Sequence, residues 1–184
     1  RYWSRGLCSP SPFNVADWRL RGAAVDKSDA LTHIDGAGRA QMVDVGDKEE
    51  TRRRAVARAR VTMAADTVTA LSDGAVPKGD VLAVARLAGI QAAKRTAELV
   101  PLCHPVTLSW VTVDLSLSSG SVNVEASAEA VGRTGVEMEA LIACAVAAHT
   151  VYDMCKALDR SITVEQLGLW EKSGGQSGHW RREA

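Results

Sequence analysis

The stretch VTLSWVTVDLSLSSGSVNVEASAEAV, Val106 to Val131, decides the fold. Apolar and polar residues alternate with a period of two on either side of Ser-Ser-Gly-Ser, a turn sequence, so the stretch predicts a β-hairpin. Immediately upstream, GDVLAVARLAGIQAAKRTAELVP repeats its apolar positions at three and four. That spacing predicts one long helix, capped by Asp80 and ended by Pro101. Downstream, a second long helix is predicted from about Gly135 to Leu158. Further out, RRAVARARVTM (Arg53 to Met63) alternates as a half-buried strand, TVTALSDG reads as a short helix stopped by Gly74, and ITVEQLGLWE reads as a final strand. Strand, helices, hairpin, helix, strand is the order of a split βαβ arrangement. The expected class is therefore α+β, ferredoxin-like, a four-stranded antiparallel sheet with helices packed on one face.

Composition bounds the rest. A chain of 184 residues that is 46% hydrophobic and 24% charged has the profile of one globular domain. Its 22 Lys+Arg balance 22 Asp+Glu, so no global basic field exists to drive nucleic-acid or anionic-membrane binding, and an anionic ligand must be caught by a local cluster. The most apolar run, Ala140 to Ala148, falls short of the ~20 residues of a membrane span. Cys8, Cys103, Cys144 and Cys155 form no CxxC pair, which fits a reducing compartment such as the cytoplasm. Residues 1–30 lack a clear period and read as a flexible arm ahead of a domain over residues 31–184. Arg1, Arg5, Arg19 and Arg21 suit the remnant of a targeting segment, which would place the protein in the mitochondrial matrix, but Asp17, Asp26 and Asp29 argue against one.

The second helix raises the functional question. From Ala140 to Tyr152 almost every residue is small or apolar, so no face wants water, and a helix of that kind in a small domain packs its second face on another copy of the chain. Yet it ends in HTVYDMCKAL, where His149, Asp153 and Lys156 share one stripe, within about 60° at about 100° per residue. An Asp and a Lys so spaced form either an ordinary helix-end ion pair or an acid–base site. In PLCHP, Pro105 holds His104 on an extended segment, structural or facing a ligand. Glu137 and Glu139 open the second helix, where they either complement its dipole or accept from the paired N–H donors of a guanine-type ring. Cys103, Cys144, Cys155 and His149 have poor spacing for zinc, so no metal site is expected.

Lys78 in PKGD, Arg86, Lys94, Arg95, Arg53 and Lys172 are scattered in sequence. Converging beside a glycine-rich segment, such cations suit a polyphosphate, and SGGQSG is either that cradle or a loose tail. No GxxxxGK[ST] is present, and GAGRAQ lacks the last glycine of a dinucleotide fingerprint.

Taken together, LTHIDGAGRAQMVDVGDKEETRR, KGDVLAVARLAGIQAAKRTAELVPLCHP, TGVEMEAL, VYDMCKAL and EKSGGQSG resemble the MoaC family, the cyclic pyranopterin monophosphate synthases of molybdenum cofactor biosynthesis. The resemblance runs from about Leu31 to Arg182. It implies an enzyme that takes the cyclised dihydro-GTP made by a radical SAM partner and rearranges it to the pyranopterin with its cyclic phosphate, releasing pyrophosphate. It implies a ferredoxin-like homo-hexamer, a trimer of dimers, that uses no metal or other cofactor. By the same resemblance Asp153, Lys156, Lys78 and His104 are catalytic, the first three as acid–base residues. Substrate contacts fall on Leu102, Cys103, His104, Glu137, Met138 and Glu139, and phosphate-facing cations on Arg53, Lys94 and Lys172. Ring opening and closure with cyclic phosphate formation needs several proton transfers and no redox step, so acids and bases suffice. His149 departs from the family, which usually carries an aliphatic residue there; it either pairs with Asp153 or faces a polar pocket. Two rival readings are a nucleotide-binding oligomer without catalysis and a metal-assisted nucleotide hydrolase.

Glu139 and Asp153 are 14 residues apart on one predicted helix, about 21 Å at ~1.5 Å per residue. One small substrate cannot touch both ends from one subunit, so the active site is expected to be shared across a subunit interface.

Overall fold

A computed structural model of the chain describes residues 39–176 and 178–183. The expectation of an arm over residues 1–30 lies outside them. The elements in order are β1 (Thr51–Thr62), α1 (Ala65–Ser72), α2 (Val81–Ala93), α3 (Thr96–Leu99), β2 (Leu108–Ser118), β3 (Ser121–Gly132), α4 (Glu137–Cys155), β4 (Thr163–Ser173) and β5 (Trp180–Arg181). The hairpin forms as read, with β2 and β3 closing register at Ser118 opposite Ser121. The pairings among these five strands are antiparallel, in the spatial order β2-β3-β1-β4-β5.

The class is α+β with helices on one face, as expected, but the sheet has five strands rather than four. The fifth pairs only Trp180 with Lys172 and Arg181 with Glu171, too short a run to carry a period. A second correction concerns the first long helix, which breaks into α2 and α3. Arg95 leaves helical geometry at φ −117°, ψ 14°, and the Thr96 hydroxyl donates to Ala93 O at 3.0 Å, turning the chain. Asp80 caps α2 as read, its side chain accepting from Ala83 N at 3.0 Å.

The core is built from small residues. Ala55, Ala57 and Ala59 of β1 and Ala126, Ala128 and Ala130 of β3 are buried on the helix side of the sheet. Against them α4 buries Ala140, Ala143, Ala147 and Ala148, and alanine facing alanine lets the helix lie close to the strands. At 19 residues α4 is long and apolar enough to cross a membrane, contrary to the sequence reading, but half of its most apolar window is buried inside the domain. It serves as the core helix. Across it runs α2, in contact through Gly89, where an added Cβ would lie 2.7 Å from Ala143 O. On the outer face of the sheet Arg52 and Arg58 pair with Glu129 and Glu125, both at 2.6 Å.

Candidate active site

The C-terminal end of α4 carries the first cluster. Asp153 lies in its last turn and Lys156 at its cap, while Lys78 arrives from the turn that leads into α2. Gly79 makes that turn possible, with φ +90° and its N–H on Val76 O. Lys78 Nζ donates to Asp153 Oδ2 at 2.8 Å and to Asp153 O at 2.9 Å, and Lys156 Nζ donates to Oδ1 at 2.6 Å. These bonds, Lys156 first and Lys78 second, hold the Asp153 carboxyl down at about 2, and Asp153 in turn raises the Lys156 ammonium. The cluster sets the Asp153 carboxylate between the Nζ atoms of the two lysines. All three side chains are about half exposed in the single chain, so spare N–H donors face outward. His149, one turn earlier, does not pair with Asp153: its Nδ1 lies 2.7 Å from Ala145 O and donates to that carbonyl of its own helix.

The N-terminal end of α4 carries the second. Leu102, Cys103 and His104, between α3 and β2, meet Glu137, Met138 and Glu139 around a cavity of about 350 Å³. Lys48, Thr134 and Gly135 line it and also line a second cavity of about 620 Å³, which adds Arg53, Arg133 and Gly175. The two form one groove. Arg53 is aimed by its own surroundings: Nε donates to Gly132 O at 3.3 Å and Nη2 to Arg133 O at 3.4 Å. Gly175, at φ +70°, passes so close that a Cβ there would strike Arg53 Nη1. The glycine-rich segment is therefore folded against a cation in the manner of an anion cradle. Lys172 Nζ donates to Glu137 Oε1 at 3.1 Å. Glu139 keeps only 4% of its surface, and burial pushes its carboxyl up, as it does the Cys103 thiol. Cys103 is a protonated thiol at neutral pH, a weak nucleophile.

Within one chain the structure thus brings Lys78, Asp153 and Lys156 together, and gathers Leu102 to His104, Glu137 to Glu139, Arg53 and Lys172 around the groove. It does not bring Lys94 to either cluster; that side chain lines a separate hollow with Ile90, Leu108 and Trp110. Lys48, Arg133 and Thr134 are groove residues that the sequence reading missed. The last two stand directly before GVEME, and that adjacency was the available signal. Among the described residues no group of three or more His, Cys, Asp and Glu is gathered as a metal ion requires.

An antiparallel sheet backed by helices, with a carboxylate between two lysines at one end of the core helix and a cation-lined groove at the other, is an arrangement that suits a small anionic ligand. The chain belongs to the MoaC family, whose model matches residues 42–175. It is 58% identical over 155 residues to a protein of Thermomicrobium roseum called cyclic pyranopterin monophosphate synthase, across 83% of this chain and 93% of that one. Proteins of the same name from Chloroflexus aurantiacus and Heliobacterium modesticaldum are 56% and 55% identical, over 83% and 84% of this chain and 94% and 99% of their own lengths.

Proposed function

We propose that this chain is a cyclic pyranopterin monophosphate synthase, a lyase that converts cyclised dihydro-GTP to cyclic pyranopterin monophosphate and pyrophosphate in molybdenum cofactor biosynthesis. The observation that carries the reading is identity of more than half the aligned residues across nearly the full length of proteins with that name. The groove agrees with it: cations and a glycine cradle at one end suit a triphosphate, and carboxyl groups with His104 at the other suit a guanine-derived ring. Residues 31–184 form the catalytic domain in this reading, and the substrate comes from a radical SAM enzyme. The relatives are bacterial, which supports the cytoplasm and lends nothing to the mitochondrial matrix.

In this reading Lys78 and Lys156 exchange protons with the substrate and Asp153, ionised, orients both ammoniums. The two clusters stand at opposite ends of a 19-residue helix, so a site that uses both is completed by a second subunit. Leu141, Ile142 and Val146 on α4 are only half-buried, and Leu87 on α2 and Leu99 on α3 are 59% and 57% exposed. Such apolar surface fits a homo-hexamer, a trimer of dimers. Lys94, remote from both clusters in one chain, reaches the substrate from a neighbouring subunit.

Turnover of the cyclised dihydro-GTP, with EDTA present and the oxidised pterin product followed by chromatography, tests the activity; a folded oligomer that binds and yields no product would restore the non-catalytic reading. Mixing inactive Glu139→Ala and Asp153→Asn proteins tests the shared site. Activity should return once subunits exchange, and its absence after proven exchange refutes sharing.

A further inference from the structure

The glycine turn after β4 meets the strand that carries Arg53 at two points. A Cβ on Gly174 would strike Arg52 O, and one on Gly175 would strike Arg53 Nη1. Within the turn Gly178 N donates to Gly175 O at 3.2 Å. The turn is closed by β5, which pairs Trp180 with Lys172 and Arg181 with Glu171 and leaves both of its residues exposed. A ladder of that length is marginal in water.

Arg182 extends the hold. It stands opposite Trp170, the next position of the same register, and its N–H donates to Trp170 O at 2.8 Å. Its side chain runs back along β4, where Nε donates to Leu169 O at 2.9 Å. One residue thus takes two consecutive carbonyls of the strand. The guanidinium lies over the Trp180 ring, 5.9 Å from its centre, and against Gly168, where an added Cβ would meet Nη2 at 3.3 Å. His179 adds a contact, its Nε2 lying 3.3 Å from Glu171 Oε1. Lys172, by contrast, is fastened from the other side by β1, in register with Ala55. The part of the groove that depends on β5 is therefore the glycine turn and, through it, Arg53.

We propose that Arg182 is a positioning residue: it fastens the end of the β4–β5 hairpin so that Gly175 stays packed on Arg53 and keeps that guanidinium turned into the groove. Arg182 thereby sets the affinity for the phosphate end of the substrate without touching it. The proposal rests on the functional reading above.

The test uses the full chain with Arg182→Met, Gly175→Ala and the two combined, native melting being checked first. Methionine keeps the apolar stem and lacks the donor, and Arg182 is exposed near the end of the chain, so the fold should survive. In Arg182→Met the amides of residues 174–176 should exchange hydrogen about 2–10-fold faster, the worth of one ordinary hydrogen bond. The Kd for inorganic pyrophosphate, by calorimetry, and the KM in turnover should rise by a similar factor with kcat unchanged. In the double variant KM should be no higher than in Gly175→Ala alone, because the contact that Arg182 protects is already lost. Unaltered exchange, wild-type affinity for pyrophosphate, a loss that falls on kcat, or KM effects that multiply in the double variant each overturn the proposal. A wild-type protein that binds pyrophosphate, shows the Arg182 effect on binding and exchange, and turns nothing over refutes the functional reading while leaving the positioning role established.

Discussion

Gly89 fixes the distance between α2 and α4, and replacing it with alanine should destabilise the protein despite alanine's better helix propensity. The new methyl would lie 2.7 Å from Ala143 O, 3.0 Å from Val113 Cγ2 and 3.2 Å from Ala147 Cβ. The nearest of these is backbone and cannot rotate aside, so α2 must back away. Overpacking of this kind costs about 1–3 kcal/mol, and contact with a helix carbonyl argues for the upper half of that range. Alanine returns about 1 kcal/mol by restricting the unfolded chain and favouring helix. The expected net loss is about 1–2 kcal/mol, which lowers Tm by about 2–8 °C in a domain of this size. The site feels the same movement, because Lys78 stands three residues before α2 and its bonds to Asp153 lengthen as the helix leans out. Thermal melts at fixed protein concentration, paired with turnover, measure both effects. Gly89→Ala melting at or above the wild-type temperature refutes the close approach and the link to Lys78 that follows from it.

Lys78→Met should leave Asp153 held by Lys156 alone, so its carboxyl, now at about 2, should titrate at higher pH; a carboxyl titration by NMR that matches wild type would remove Lys78 from the cluster. Because the native value is depressed, the stability that Asp153 contributes is full above the unfolded value of 3.8 and disappears as pH falls through about 2; in Lys78→Met the contribution should be smaller and its loss complete nearer 3.8. Gly175→Ala should push Arg53 out of the groove and raise KM by about 10–100-fold, the value of one lost charge-assisted hydrogen bond, with kcat little changed; an unaltered KM would show that Arg53 holds no phosphate. Asp159 accepts from Ala64 N at 2.8 Å, Ser161 N at 2.7 Å and Ser161 Oγ at 2.6 Å, and these bonds depress its carboxyl. Asp159→Asn should therefore melt below wild type at neutral pH, with the gap closing as the solution is acidified below the unfolded value; a gap constant with pH would count against the carboxylate.

The parts of the fold legible in the sequence were those with a period. The hairpin alternated but for Trp110 and Val111, where the register shifts, and its ends and those of α4 were found within a few residues, whereas the first helix, repeating at three and four, was found at its start but was read on to Pro101. The break between α2 and α3 was not legible, because neither Gly nor Pro stands at Lys94 or Arg95 and the turn is made by a Thr96 hydroxyl. Two residues of β5 offer no period at all. In the site, Asp153 and Lys156 were legible through helix geometry, whereas Lys78 lies 75 residues from Asp153 and could be tied to it only by resemblance. His149 shared the stripe of Asp153, yet the nearer acceptor, the Ala145 carbonyl, takes its N–H. The burial of Glu139 is not something a local pattern at a helix start reveals.

One feature of the composition, the alanine content of β1, β3 and α4, follows from the proposed chemistry. Strands rich in alanine are poor by intrinsic propensity, and larger side chains would bury more apolar surface in the same core. Alanine on both sides instead sets the helix close against the sheet, with Ala143 and Ala147 also receiving α2 at Gly89. A helix so clamped has little freedom to tilt or slide. If one end of α4 meets the substrate of one site and the other end that of the next, any tilt moves Glu139 and Asp153 in opposite directions and misaligns two sites at once. Misplacement of about 1 Å is enough to cost on the order of 100-fold in rate. On the proposed shared site the helix would serve as a ruler between sites, the small-residue core trading burial for a fixed separation of the glutamates at one end from the lysines at the other.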